Sequence, residues 1–175
     1  MIVGMGFAQA DAVAAVSADY PDIKFVAVDV CWLDDPNNNI YQACYKEHEG
    51  SFLVGMMAAM ASKSGTIGFV GGMDIPLIRK FQGGYEQGAQ YVNPDITVLA
   101  NMTGTTNEAW NNPTKGAELT KAQIDGGADV VYQAAGGTGI GVLQAAADAG
   151  IMGIGVDSNQ TVSYTHLRAH ETVMN

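Results

Sequence analysis

Asp-Val-Val-Tyr-Gln-Ala-Ala-Gly-Gly-Thr-Gly-Ile-Gly, residues Asp129–Gly141, is an apolar run that stops at two glycines and turns into a helix. In an open α/β sheet such a junction joins the carboxyl end of a strand to the amino end of a helix, and small ligands bind there. Gly136 and Gly137 permit positive φ and close approach of a ligand to the backbone. The first N–H groups of the helix that follows point into the same space. Twenty residues beyond Gly137 a second apolar run, Ile151–Val156, ends in Asp157, which sets a carboxylate at the next strand end on the same rim. An acid there suits a hydroxyl-rich ligand such as a ribose. Spacing alone leaves a plainer reading open, in which the glycines make a tight turn and Asp157 caps a loop.

The same alternation extends outward. Thr66–Val70 reads as a strand ending in Gly71-Gly72, and Pro76–Val92 as a helix with proline in its first turn. Ile96–Ala100 is a strand, Pro113–Ile124 a helix closed by Gly126-Gly127, and Thr138–Ala149 a helix closed by Gly150. Repeated strand–helix alternation predicts an α/β fold with a parallel sheet covered on both faces. Upstream, residues 1–5 read as a strand and Gly6 to about Asp19 as a helix; Ile23–Val30 is strand-like, with Asp29 near its end. A polar loop over residues 34–39 leads to a long helix over Ile40–Ser62, whose apolar second half is expected to be buried. Ser62-Lys63-Ser64-Gly65 is the best internal boundary, so residues 1–64 are expected to be the last part of a first lobe and 65–161 a second.

Composition narrows the partners. A net charge of −10 argues against nucleic acid and anionic membranes. Hydrophobic residues at 47% are enough for a core, and 22 glycines fit many strand–helix turns. Cys31 and Cys44 make neither a metal site nor a disulfide framework; they read as free, partly buried thiols, with a single disulfide left open.

Right-handed crossovers bring the loops 71–74, 104–110, 136–139 and 157–159 to one edge of the second sheet. Trp110, in a polar loop there, reads either as a ring that stacks on a flat ligand or as a lid over the lobe's edge. Phe7 and Asp29 fall at matching rim positions in the first lobe. Two aromatics and two acids suit a ring joined to a sugar. His48, in Lys46-Glu47-His48-Glu49, reads as an exposed helix residue rather than a general base, and no nucleophile elbow or phosphate loop is present. The run Gly137–Gly141 misses the dinucleotide fingerprint by one position, which keeps a nicotinamide-dependent oxidoreductase as an alternative.

Five segments together resemble the basic membrane protein (BMP) family, the substrate-binding lipoproteins of ABC importers. They are Glu49–Gly55, Ile67–Pro76, Phe81–Ala89, Ala134–Gly139 and Gly155–Gln160. The resemblance implies a periplasmic-binding-protein-like fold, type I, of the sugar-receptor kind, with two lobes that close on a ligand by hinge motion. It implies binding without catalysis, no cofactor and no metal. The implied partners are a purine nucleoside in the cleft and ABC permease subunits, at an extracytoplasmic site with the membrane reached through a lipid anchor. Asp157 matches the ribose-binding acid, Trp110 the second-lobe aromatic that faces the base, and Gly136 and Gly137 the glycine loop lining the cleft; Phe7 and Asp29 join them from the first lobe. A sugar-receptor-like effector domain of a transcription regulator shares the fold and is the other reading.

Residues 162–175 resemble the translation of a transposase adapter used in sequencing libraries and, with His166 and His170, are set aside. The chain is expected to be a fragment whose first lobe is incomplete, lacking the family's signal peptide, lipid-bearing cysteine and first strands, and a basic cleft residue beyond Gln160. Apolar surface meant for such strands would then be exposed. The purified 175-residue product is expected to aggregate on size-exclusion chromatography, and a monomeric sample with a sharp melt would contradict this.

Overall fold

The computed structural model describes residues 1–160; the stretch 162–175, with His166 and His170, lies outside the described residues. Two compact units divide the chain, Met1–Lys46 and the part that begins at Glu47.

The second unit is built on β4 (Thr66–Met73), β5 (Thr97–Gly104), β6 (Val130–Ala134) and β7 (Met152–Ile154), in the order β5-β4-β6-β7. Every pair is parallel, with Phe69 beside both Ala100 and Tyr132. β4 is buried over its six inner residues, as a parallel strand covered on both faces must be. Successive side chains go to opposite faces. Ile67, Phe69, Val130 and Tyr132 pack with Ala58 of α2 (Glu47–Ala61) and with Ile78 and Tyr85 of α3 (Pro76–Val92). Val70 and Val131 pack on the other side with Leu119 of α4 (Pro113–Asp125) and Val142 of α5 (Gly139–Asp148). Phe69, Tyr85 and Tyr132 form a ring cluster with centroids 5.3–6.1 Å apart.

Glycines set the spacing of α2 and α3. A Cβ at Gly55 would strike the Tyr85 carbonyl oxygen, one at Gly84 the His48 carbonyl, and one at Gly88 the Phe52 carbonyl. The two helices thus touch backbone to backbone, which groups α2 with the second unit. Ser62–Gly65, the expected boundary, is the turn from α2 into β4. Asp129 ties that turn to β6: Ser62 Oγ donates to it at 2.6 Å, and the Lys63 and Ser64 amides at 2.7 and 2.8 Å. Partial burial pushes its pKa up, but these donors outweigh that and hold the carboxyl below its ordinary value. The expectation that the apolar second half of α2 is buried is corrected: only Ser51, Gly55 and Ala58 of the helix are buried, while Leu53 and Met60 lie exposed.

In the first unit β1 (Ile2–Gly4), β2 (Phe25–Val28) and β3 (Ile40–Ala43) form a parallel sheet in that order, covered on one face by α1 (Ala10–Asp19) through Ala10 and Val13. Val3 and Tyr41, which share the other face, are exposed. The helix expected over Ile40–Ser62 is corrected, because its first residues form β3. Asp35 accepts from the amides of Asn39 and Ile40 at 3.0 and 2.8 Å and turns the chain into the ladder. Buried Asn39 donates to the carbonyls of Ser17, Tyr20 and Ile23, tying the same turn to the end of α1. The reading of two free, partly buried thiols is also corrected: Cys31 and Cys44 are exposed and disulfide-bonded, with Cα atoms 5.7 Å apart.

Two outcomes follow. Gly88→Ala should lower unfolding free energy in urea by about 2–3 kcal/mol, because backbone cannot yield to the new methyl. Gly83→Ala, on the same helix but with open space beside it, should stabilise by up to about 1 kcal/mol; the reverse order would contradict the packing. Replacing both cysteines by serine, or adding reductant, should destabilise the first unit by about 3 kcal/mol through the freed loop, read as earlier urea unfolding of that unit alone.

Candidate functional site

The strand order β5-β4-β6-β7 makes a switch point at β4 and β6. From β4 the chain crosses to α3 on one face, and from β6 to α5 on the other. Their carboxyl ends therefore border a crevice, the usual ligand position of an open α/β sheet. Gly71-Gly72-Met73-Asp74 lies on one side and Ala135-Gly136-Gly137-Thr138 on the other.

Trp110 is seated across these ends. It closes a short 3-10 turn, Asn107–Trp110, that follows β5, and it is partly buried against the core. A Cβ at Gly72 would overlap its six-membered ring, and one at Gly136 would lie 3.6 Å from its Cε3. Gly136 has φ of +56°, so its conformation suits glycine, while the contact with the indole is an ordinary one. Thr138 holds the loop on both sides of the indole: its hydroxyl donates to the Ala109 carbonyl and accepts from the Asn112 amide, both at 2.7 Å. Asn112 then caps α4 by accepting from the Lys115 amide at 3.0 Å.

Asp157 follows β7 and is exposed, with φ of +65°. Burial lifts the Tyr132 phenol above its ordinary pKa, and the Asp157 charge adds to that. Asp74 is engaged otherwise: Arg79 grips both its oxygens, Nε at 2.7 Å and Nη2 at 2.6 Å, and that pairing holds its carboxyl below the ordinary value.

In the first unit Phe7 begins the 3-10 turn after β1, preceded by Gly6 at φ of +86°. Asp29 directly follows β2 with φ of +61°, its amide donating to the Ala43 carbonyl at 3.0 Å. Phe7 and Asp29 thus sit at the ends of adjacent strands. Among the described residues only Asp29, Asn38 and Asp157 are non-glycine with positive φ. In each unit a Val-Asp pair, Val28-Asp29 at the end of β2 and Val156-Asp157 beyond the end of β7, carries the aspartate left-handed, a conformation that costs energy and collects at functional sites.

The sequence-predicted residues thus fall into two groups. Trp110, Gly136 and Gly137 come together, with Asp157 one strand over, while Phe7 and Asp29 share the strand ends of the other unit. Thr138 and Arg79 were missed. Thr138 stands inside the quoted glycine run, and its hydroxyl was the available signal; Arg79, five residues after Asp74, had none. Among the described residues no cluster of three or more His, Cys, Asp or Glu could hold a metal ion, and no helix is long and apolar enough to cross a membrane.

Comparison with known proteins bears on the family and the fold. The model of the Bmp family, ABC transporter substrate-binding protein PnrA-like, matches residues 1–175. Basic membrane protein A2 of Borrelia garinii subsp. bavariensis is 34% identical over 160 residues, covering 90% of this chain and 46% of that protein. ABC transporter nucleoside-binding protein BmpA of Lactococcus lactis subsp. cremoris is 38% identical over 146 residues, covering 83% of this chain and 40% of that one. A solved ABC transporter solute-binding protein from Aeropyrum pernix superposes with a TM-score of 0.77 at 28% identity, over 91% of this chain and 46% of that one. The chain spans about half the length of the curated relatives it matches. Its fold is the type I periplasmic-binding fold of the sugar-receptor kind, and the chain belongs to the Bmp family of ABC transporter substrate-binding proteins.

Proposed function

We propose that this chain is part of the extracytoplasmic receptor of an ABC importer that takes a purine nucleoside and passes it unchanged to permease subunits. The observation that carries the reading is the seat of Trp110, an indole held by Thr138 over the glycine ends of β4 and β6. A partly exposed ring fixed in that way offers a flat face to a base at small entropic cost. Asp157, left-handed at the neighbouring strand end, takes ribose hydroxyls, and Asp29 repeats the device in the first unit. Phe7 offers a ring at the strand ends of the first unit, and in the second the Gly136-Gly137 backbone lets a ligand approach closely.

The relative whose printed name is nucleoside-binding protein supports the ligand class. The Cys31–Cys44 bond supports an oxidising, extracytoplasmic setting, where a lipid anchor would tether the receptor. Binding needs no proton transfer, and none is assigned.

Tryptophan fluorescence tests this on the protein that the whole gene encodes, titrated with inosine, guanosine, adenosine and ribose. Saturable quenching by a nucleoside but not by ribose is expected. Asp157→Ala should weaken it by about 10- to 100-fold, the worth of a charged hydrogen bond, and Trp110→Ala should abolish the signal. Absence of any response to nucleosides would discard the ligand.

A further inference from the structure

Gln133 stands out within β6. It lies between Tyr132 and Ala134 in a strand buried throughout, and Gln133 itself is 0% exposed. A primary amide at such a place costs several kcal/mol unless its polar atoms are partnered. Here they are: its Oε1 accepts from the Ala135 amide at 3.0 Å, and its Nε2 donates to Gln160 Oε1 at 2.9 Å. The same Gln160 oxygen accepts from the Val156 amide at 2.9 Å. Two side-chain amides in series therefore join the entry to the Gly136 turn with the residue that precedes Asp157.

Two glycines make room for this bridge. A Cβ at Gly139 would strike the Gln133 amide, and one at Gly155 would lie 2.5 Å from Gln160 Oε1. Neither glycine has positive φ, so what each supplies is space rather than conformational freedom. Four residues, Gln133, Gly139, Gly155 and Gln160, thus agree on one contact, and that contact ends next to a left-handed aspartate.

We infer that Gln133 is a positioning residue which acts through Gln160 to set the Asp157 carboxylate, and so governs recognition of the sugar part of the ligand. The inference rests on the nucleoside reading above for its ligand, but not for the bridge itself.

Gln133→Leu and Gln160→Met, made in the protein that the whole gene encodes, test it with inosine and with its free base hypoxanthine, which lacks the ribose hydroxyls. Each variant should lower inosine affinity about tenfold, the worth of one hydrogen bond to a charged or buried group, and leave hypoxanthine within about twofold. Neither should add to the loss in Asp157→Ala, since residues acting through one another are not additive. Gln160→Glu, which keeps the accepting oxygen, should restore inosine affinity. Equal losses for both ligands, or losses that add to Asp157→Ala, would overturn the inference. Amide exchange without ligand supplies the independent arm: the Val156 N–H should exchange about tenfold faster in both variants while Val131 is unchanged. Unchanged exchange at Val156 would also overturn it. If the unaltered protein binds neither ligand, the nucleoside reading falls alone, and exchange at Val156 with the Asp157 Cα shift still decides whether the bridge holds that turn.

Discussion

β4 has to be covered on both faces, and much of the second unit follows from that. Its inner residues are all buried, so helices must lie above and below it. α3 leaves from β4 itself, while α5 leaves from its neighbour β6 on the opposite face. Two crossovers parting from adjacent strands open a crevice at their carboxyl ends. The site is in this sense a consequence of sheet burial, and the loops decide what it can hold.

Bare backbone does most of the fitting. Gly55, Gly84 and Gly88 bring α2 and α3 into backbone contact, and Gly72 gives Trp110 its bed. Gly139 and Gly155 clear the path of the Gln133–Gln160 bridge. Gly136 differs, since a Cβ there would make only ordinary contact, 3.5 Å from the Trp110 carbonyl oxygen, and its left-handed conformation is what suits glycine. The glycine richness of the chain thus reflects packing at least as much as turning.

Periodicity made the second unit legible from the sequence, since long apolar strands alternate there with helices that end in glycine. β3 was not legible, because Ile40-Tyr41-Gln42-Ala43 runs into a helical segment without a break residue. What makes it a strand is the remote grip of Asp35 and Asn39 on the turn before it. Strand ends pointed to Trp110, Asp157, Phe7 and Asp29 as rim residues, but a sequence carries no φ, so the shared left-handed state of the two aspartates could not be read. Thr138 and Gln133 escaped for a related reason. A hydroxyl or amide within an apolar run discloses its partner only when Asn112 or Gln160, distant in the chain, is seen beside it. The cysteines, 13 apart in sequence, paired where composition favoured free thiols, since one follows β2 and the other follows β3, which lie side by side.

Native mass spectrometry is the most direct measurement of the central claim, that the switch-point crevice belongs to a receptor for a ring joined to a sugar. The protein that the whole gene encodes would be offered an equimolar mixture of nucleosides, free bases, sugars and amino acids. The account predicts a one-to-one adduct with the mass of a purine nucleoside, lost when Trp110 is replaced by alanine. An adduct with a sugar or an amino acid, or no adduct at all, would contradict it.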